Sequence, residues 1–72
     1  MGEKKHILIQ FGKTIRRARL SRGWSQEKLG TLAKMHRTYI GMIERAEKNI
    51  TLTNIEKLAR ALGTKVEDFF QQ

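Results

Sequence analysis

The segment from Ser25 to Arg45 constrains the fold most, because it carries two short apolar repeats separated by a break at Lys34. A spacing of i, i+3, i+4 is typical of one buried helical face. Helices this short cannot bury their faces against each other alone, so the pattern predicts two helices joined by a tight turn and packed against flanking helices. The apolar positions are Leu29, Leu32 and Ala33 in the first repeat, and Met35, Ile40 and Ile43 in the second.

Amphipathic stripes on both sides of this pair predict further helices, so we expect a compact all-α domain of five helices. The chain has no proline and no alternating β-branched run that would favour a strand. Residues 1–6 are predicted to be a flexible N-terminus, and residues 7–72 a single domain. The predicted helices are 7–22, 26–34, 37–45, one that begins after Thr51 or Thr53 and ends at Leu62, and a short final helix containing Val66, Phe69 and Phe70.

Capping residues mark the ends of these helices. Ser25 is a favoured N-cap residue for the second helix, and His36 lies at or next to the cap of the third. Gly23 and Gly63 suit the left-handed conformation in which many helices end. The run from Thr64 to Glu67 matches a capping box and predicts the start of the final helix.

The charge balance narrows the class of partner. The 72 residues include 15 Lys and Arg against 7 Asp and Glu, a formal net charge of +8. A small domain this basic most often binds a polyanion, and nucleic acid is the commonest one. Charge kept only for solubility is the alternative. The sequence thus predicts a nucleic-acid partner.

Other classes of protein find little support in the composition. Without cysteine there is no disulfide or thiolate metal site, and His6 and His36 alone are too few for a structural zinc site. No set of residues typical of catalysis and no glycine-rich phosphate loop is present, so we expect no enzyme, no cofactor and no small-molecule ligand. No apolar run reaches membrane-span length and no secretory signal is recognisable, so we expect no membrane partner and a soluble cytoplasmic protein.

From Phe11 to Phe70 the sequence resembles the Xre/lambda-repressor-like helix-turn-helix family. Within that family it is most similar to controller proteins of restriction–modification systems, through His36 to Gly41 and through Glu44-Arg45 followed by Asn49 to Leu52. The residues that carry the broader resemblance are Phe11-Gly12, Ile15, Arg19, Ser25 to Leu29, Ile40, Ile43 to Arg45, and Leu58 to Gly63.

The resemblance implies a lambda-repressor-like fold and a sequence-specific transcription regulator that binds the major groove of double-stranded DNA. It further implies an autoregulatory homodimer on a (pseudo)palindromic operator, with half-sites about 34 Å apart. Two alternatives stay open. One is a phage-type or general repressor, and the other is an antitoxin that binds a toxin protein and its own promoter.

The resemblance also implies that the start of the third helix faces the base edges, which differ in donors, acceptors and methyl groups. The residues at that position are His36, Arg37 and Thr38, with Met42 one turn later. The planar fork of Arg37 suits guanine O6 and N7, with a phosphate contact or a surface ion pair as the alternative. A core position is the alternative for Met42.

Phosphate contacts and a structural ion pair complete the predicted DNA-binding site. Gln26 is at the position with which the family links a phosphate to the recognition helix. Arg19 and Glu44 match a pair that joins the first and third helices in the family. The other candidates for phosphate contact are Tyr39, Arg45, Asn49 and Thr51, and Tyr39 also fits as an ordinary half-buried aromatic residue.

Two further predictions concern the dimer and the turn. Apolar residues in the C-terminal part are candidates for the homodimer interface, with core packing as the alternative. The interface candidates are Leu52, Ile55, Val66, Phe69 and Phe70.

Lys34 stands where the family often has glycine and where the turn needs a positive φ, which costs lysine about 1 kcal/mol.

Overall fold

The computed structural model describes residues 5–71, and in that range the fold is all-α without a strand. The α-helices are α1 (His6–Ser21), α2 (Gln26–Ala33), α3 (Arg37–Glu44) and α4 (Leu52–Leu62), followed by a C-terminal 3-10 helix (Val66–Phe70). The prediction of an all-α fold is confirmed. The helix α1 begins at His6, within the stretch predicted to be flexible, and residues 1–4 of that stretch lie outside the described residues.

The prediction of a fifth α-helix is wrong, because the last element is a 3-10 helix of five residues. Few i→i−4 hydrogen bonds can form in so short a segment, and 3-10 geometry is typical of such short pieces at the end of a chain of helices. The predicted capping box is also shifted by one residue. The carboxylate that accepts is Asp68 rather than Glu67: its Oδ2 accepts from the Thr64 hydroxyl at 2.8 Å and from the Lys65 N–H at 3.2 Å.

The N-caps of α2, α3 and α4 are side chains near their predicted positions. The Ser25 hydroxyl accepts from the Lys28 N–H at 2.9 Å. Of the two threonines considered for α4, Thr51 is the cap, and its hydroxyl accepts from the Asn54 N–H at 3.1 Å. His36 caps α3 through its ring. Each cap satisfies a backbone donor that has no partner inside the helix.

The core lies between the helices and includes residues from all five elements. Leu32, which the sequence places on the buried face of α2, is instead 42% exposed. The buried residues of α2 are Leu29, Gly30 and Ala33. At 3.6 residues per turn, Leu32 lies to one side of the helix face that these three residues form. The buried core residues are Phe11, Ile15, Leu29, Ala33, Ile40, Ile43, Ile55, Leu58, Ala59, Leu62 and Phe69.

A glycine allows α1 to lie close to the end of α3. A Cβ atom placed on Gly12 would be 2.5 Å from the backbone oxygen of Ile43 and 2.8 Å from that of Glu44. These distances are too short for a carbon atom, and the neighbours are backbone atoms of a packed helix. Gly12 therefore sets the separation at which α1 supports α3.

The turn between α2 and α3 has the backbone conformation that the sequence predicts. Lys34 has φ 60° and ψ 45°, in the left-handed region. The Met35 N–H then donates to the Gly30 carbonyl at 2.8 Å and closes the end of α2. A second residue with positive φ, Ala46 at 60°, follows α3 and was not predicted.

Arg22 joins the ends of α1 and α4, a role that the sequence does not reveal. Its Nη2 donates to the Leu62 carbonyl at 2.6 Å and its Nη1 to the Ala18 carbonyl at 2.8 Å. The guanidinium also lies 5.7 Å from the centre of the Trp24 ring, which packs against the core.

Among residues 5–71, no helix is long and apolar enough to cross a membrane.

Candidate nucleic-acid interface

The first turn of α3 exposes three of the four residues predicted to contact bases. His36, Arg37 and Thr38 are exposed, whereas Met42 is half-buried. Thr38, Met42 and Arg45 are spaced i, i+4, i+7 and therefore share one face of α3. The opposite side of the helix holds the buried core residues. This arrangement gives α3 an outward face with small, apolar and basic side chains.

A buried ion pair fixes α3 to α1. The Arg19 Nε donates to Glu44 Oε2 at 2.7 Å, and its Nη2 donates to Glu44 Oε1 at 3.0 Å. The side chains are only 9% and 4% exposed. Arg19 also donates to the Trp24 carbonyl at 2.9 Å. The hydrogen bond to Glu44 is the main cause of a raised pKa for Arg19, opposed by its burial.

Gln26 extends this pair to α2, because its Nε2 donates to Glu44 Oε1 at 3.1 Å. The Glu44 carboxylate therefore accepts hydrogen bonds from two helices while it belongs to a third. Fixed contacts of this kind set the rotation and tilt of α3 relative to the rest of the domain. The link between Gln26 and the recognition helix is thus present, and the second amide hydrogen of Gln26 is not used in that bond.

Two of the predicted phosphate contacts, Gln26 and Arg45, meet above Gly41. A Cβ on Gly41 would be 3.0 Å from Arg45 Nη1 and 3.3 Å from Gln26 Oε1, so the missing side chain leaves room for both. The Arg45 Nε donates to Glu47 Oε2 at 3.0 Å, in a pair whose side chains are 56% and 44% exposed. This hydrogen bond raises the pKa of Arg45.

A second group of polar residues lies where α3 meets the start of α4. The Asn54 Nδ2 donates to the Tyr39 hydroxyl at 3.2 Å, and the Asn54 N–H donates to the Thr51 hydroxyl. Both hydroxyl oxygens accept from Asn54, and each hydroxyl also has a hydrogen that an oxygen such as that of a phosphate can accept. The Tyr39 ring is half-buried and packs against the core, as the alternative for this residue predicts. Asn49 is exposed in the preceding loop.

Asn54 is the residue of this group that the sequence analysis missed. Its only local signal is a position in the first turn of α4, where asparagine commonly interacts with a cap.

The five residues predicted for a dimer interface separate into two groups. Ile55 and Phe69 are only 8% and 6% exposed and belong to the core of the protomer, so their assignment to an interface is corrected. Phe69 contacts the Phe11 ring edge-on at 5.4 Å, which explains its burial. Leu52 is 80% exposed and Phe70 41%, whereas Val66 is half-buried.

Comparisons with known proteins agree with this fold. A helix-turn-helix family model matches residues 15–69. Control protein C.BamHI of Bacillus amyloliquefaciens is 47% identical over 64 residues, which cover 88% of this chain and 79% of that protein. The restriction-modification controller protein C.AhdI from Aeromonas hydrophila has a crystal structure that matches with a TM-score of 0.85 and 41% identity, covering 88% of this chain and 96% of that one.

A third match is a complex with DNA. The restriction-modification controller protein C.Esp1396I, a tetramer bound to its natural 35 base-pair operator, aligns with a TM-score of 0.84 and 32% identity. The alignment covers 92% of this chain and 87% of that one.

Proposed function

This chain belongs to the helix-turn-helix family and, within it, to the restriction–modification control proteins, and we propose on this premise that it binds the DNA upstream of its own gene as a homodimer. The protein is a DNA-binding transcriptional regulator and not an enzyme. The proposal adds the oligomeric state, the (pseudo)palindromic operator, the autoregulation and the residues that carry each contact. The proposed DNA-binding unit is the single domain that starts with α1, and its proposed location is the cytoplasm.

The observation that carries the proposal is an exposed α3 held rigidly by the Arg19–Glu44–Gln26 network. The major groove is about 12 Å wide and accepts an α-helix. A helix fixed by side chains of two neighbouring helices presents its outward groups in one geometry, which is what discrimination between bases requires.

Each outward group has a proposed contact that follows from its chemistry. Arg37 donates its two parallel N–H groups to guanine O6 and N7, and Thr38 and Met42 place methyl groups against thymine. The proposed phosphate contacts set the register and supply affinity that is independent of sequence. They are Gln26, Tyr39, Arg45, Asn49 and Thr51.

The proposed dimer uses the exposed part of the C-terminal surface, Leu52 and Phe70, with Val66 at its edge. An apolar side chain that is 80% exposed, such as Leu52, gains about 1.5–3 kcal/mol when a partner covers it completely. C.Esp1396I binds its 35 base-pair operator as a tetramer. A second dimer on adjacent half-sites is therefore one of the assemblies that a binding titration should separate.

The experiment that tests the proposal is a salt titration of binding to the duplex upstream of the gene and to a scrambled duplex of equal length. We expect tight binding in two steps to the upstream duplex, with log K falling steeply against log salt concentration. Equal and weak binding to both duplexes would contradict sequence-specific regulation and leave only the attraction of a basic protein to DNA.

Two alanine variants separate base contacts from phosphate contacts. Arg37→Ala should weaken binding to the upstream duplex by about 5- to 150-fold per half-site, corresponding to roughly 1–3 kcal/mol, and change binding to the scrambled duplex much less. Gln26→Ala should weaken binding to both duplexes similarly. Arg60→Ala is the matched control for Arg37→Ala, because it removes the same positive charge from α4 instead of α3. Equal losses on both duplexes for Arg37→Ala would assign Arg37 to a phosphate.

A further inference from the structure

One nitrogen of the His36 ring caps α3. Its Nδ1 accepts a hydrogen bond from the Thr38 N–H at 3.0 Å, and the residue has the extended backbone of an N-cap, with φ −66° and ψ 144°. His36 is exposed, beside a shallow depression that Glu27, Met35 and Arg37 also line. The ring is therefore held at the start of α3 by its own helix, with one edge turned toward the backbone.

The cap determines where the hydrogen of the ring is. A nitrogen that accepts a hydrogen bond uses its lone pair and carries no hydrogen, and a neutral imidazole carries its single hydrogen on the other nitrogen. An imidazolium carries hydrogens on both nitrogens and cannot cap a backbone N–H. When Nδ1 accepts in this way, Nε2 is the ring nitrogen that carries a hydrogen and acts as a hydrogen-bond donor.

We infer that His36 determines part of the operator sequence by donating Nε2–H to an acceptor on a base edge, and that it rejects cytosine at that position. The inference rests on the proposed function, in which the start of α3 faces the major groove. Guanine offers N7 and O6 there, adenine offers N7 and thymine offers O4, whereas cytosine offers the N4 amino donor. Two donors placed against each other leave both without a partner, which is the basis of the rejection.

This role differs from that of the neighbouring Arg37. Arg37 has a long, flexible side chain with several donors, so it can reach a phosphate as well as a base. His36 has one outward donor on a short side chain whose ring is already fixed by the cap. A single hydrogen bond of this kind corresponds to about 2- to 12-fold in affinity per half-site.

The test compares wild-type protein with His36→Ser on the upstream duplex and on duplexes in which one base, in both half-sites, lacks a single acceptor. Serine keeps the cap and removes the ring, because its hydroxyl accepts from the same backbone N–H. The base analogues are 7-deazaguanine and 7-deazaadenine for N7, 2-aminopurine for guanine O6, and 5-methyl-2-pyrimidinone for thymine O4. Fluorescence anisotropy gives each Kd.

We expect one position at which an analogue weakens wild-type binding by about 5- to 150-fold and leaves the binding of His36→Ser unchanged. Equal losses for both proteins at every position would overturn the inference. So would a difference found only on a duplex in which 2-pyrimidinone, which lacks the N4 amino group, replaces a cytosine. If the wild type does not prefer the upstream duplex over a scrambled one, the proposed function fails and the role in base recognition fails with it. A clear preference with equal losses refutes the role of His36 alone.

Two measurements on the free protein test the cap independently of DNA. Long-range 1H–15N correlation spectra should show the Nδ1 of His36 without hydrogen and the Nε2 with one, and the opposite tautomer would overturn the inference. Thermal unfolding should give His36→Ser a midpoint close to that of the wild type, with His36→Ala clearly lower. Equal midpoints for these two variants would show that the ring does not cap α3.

Discussion

Replacing Glu44 by glutamine tests whether the buried ion pair holds the recognition helix. The substitution keeps the shape of the side chain but leaves the Arg19 guanidinium without a counter-charge at a site where both side chains are less than 10% exposed. Removing one partner of a buried pair costs about 3–5 kcal/mol. We expect the lower end, about 3 kcal/mol, because the glutamine carbonyl and the Trp24 carbonyl can still accept from Arg19.

This loss is large for a chain of 72 residues. Domains of this size have a free energy of unfolding of roughly 4–11 kcal/mol, so Glu44→Gln removes a substantial part of it. At about 4–8 °C per kcal/mol, the midpoint of thermal unfolding should fall by about 12–24 °C. Urea unfolding followed by circular dichroism and by the fluorescence of Trp24, the single tryptophan, measures the change.

Glu47→Gln is the matched control. It removes the same charge from the same basic protein and breaks the Arg45–Glu47 pair, whose side chains are about half exposed. An exposed pair contributes little to the free energy of unfolding, because solvent screens its charges and pairing costs side-chain entropy. If Glu44→Gln destabilises the protein no more than Glu47→Gln does, burial of the Arg19–Glu44 pair does not hold α3 in place, and the reasoning is refuted.

Three further substitutions test other parts of the fold. Gly12→Ala should lower the free energy of unfolding by roughly 1–3 kcal/mol, because the added Cβ clashes with α3, although alanine favours a helix over glycine by about 1 kcal/mol. A variant more stable than the wild type in urea would disprove the close approach of α1 and α3. Lys34→Gly should raise the free energy of unfolding by up to about 1 kcal/mol. Glycine relieves a left-handed strain of about 1–2 kcal/mol, and part of this gain is lost because glycine raises the entropy of the unfolded chain. A lower free energy of unfolding in the same assay would contradict this. The pKa of Asp68 is lowered, first by the hydrogen bond from Thr64 and then by that from the Lys65 N–H. The charged carboxylate therefore stabilises the fold above its unfolded pKa of about 3.9. This contribution is lost as the pH falls through the lower folded pKa. The wild type should therefore be more stable than Asp68→Asn at about pH 6, with the difference in thermal unfolding shrinking as the pH falls below about 3.9, and a difference independent of pH would exclude the mechanism.

The features of the fold that the sequence predicts correctly are mostly local. The second, third and fourth helices end within a residue of their predicted bounds, because their caps lie beside the helices they cap. The positive φ of Lys34 is also a local feature, but family resemblance indicated it, since the family often has glycine at that position. The Arg19–Glu44 pair is an exception across 25 residues, and family resemblance rather than spacing indicated it.

Other features depend on how the helices rotate and cross, which no local pattern specifies. Leu32 has the spacing of a buried residue but is exposed, because the neighbours of α2 cover a different arc of its surface. Phe69 and Phe70 are adjacent in sequence and the rings of both contact Phe11, yet Phe69 is a buried core residue and Phe70 remains 41% exposed. The hydrogen bonds from Gln26 to Glu44 and from Asn54 to Tyr39 exist only once α3 is seated.

By itself, then, the sequence determined the four α-helices, the N-caps of α2 to α4, the turn and the family of this protein, because each is encoded by residues close together or by an ordered set of motifs. The tertiary structure decided which apolar residues form the core and which remain exposed for a partner. It also decided which polar groups form hydrogen bonds inside the domain and which remain exposed. The physical reason is that burial and hydrogen-bond partners depend on the distances and rotations between helices, which are fixed by packing of the whole chain.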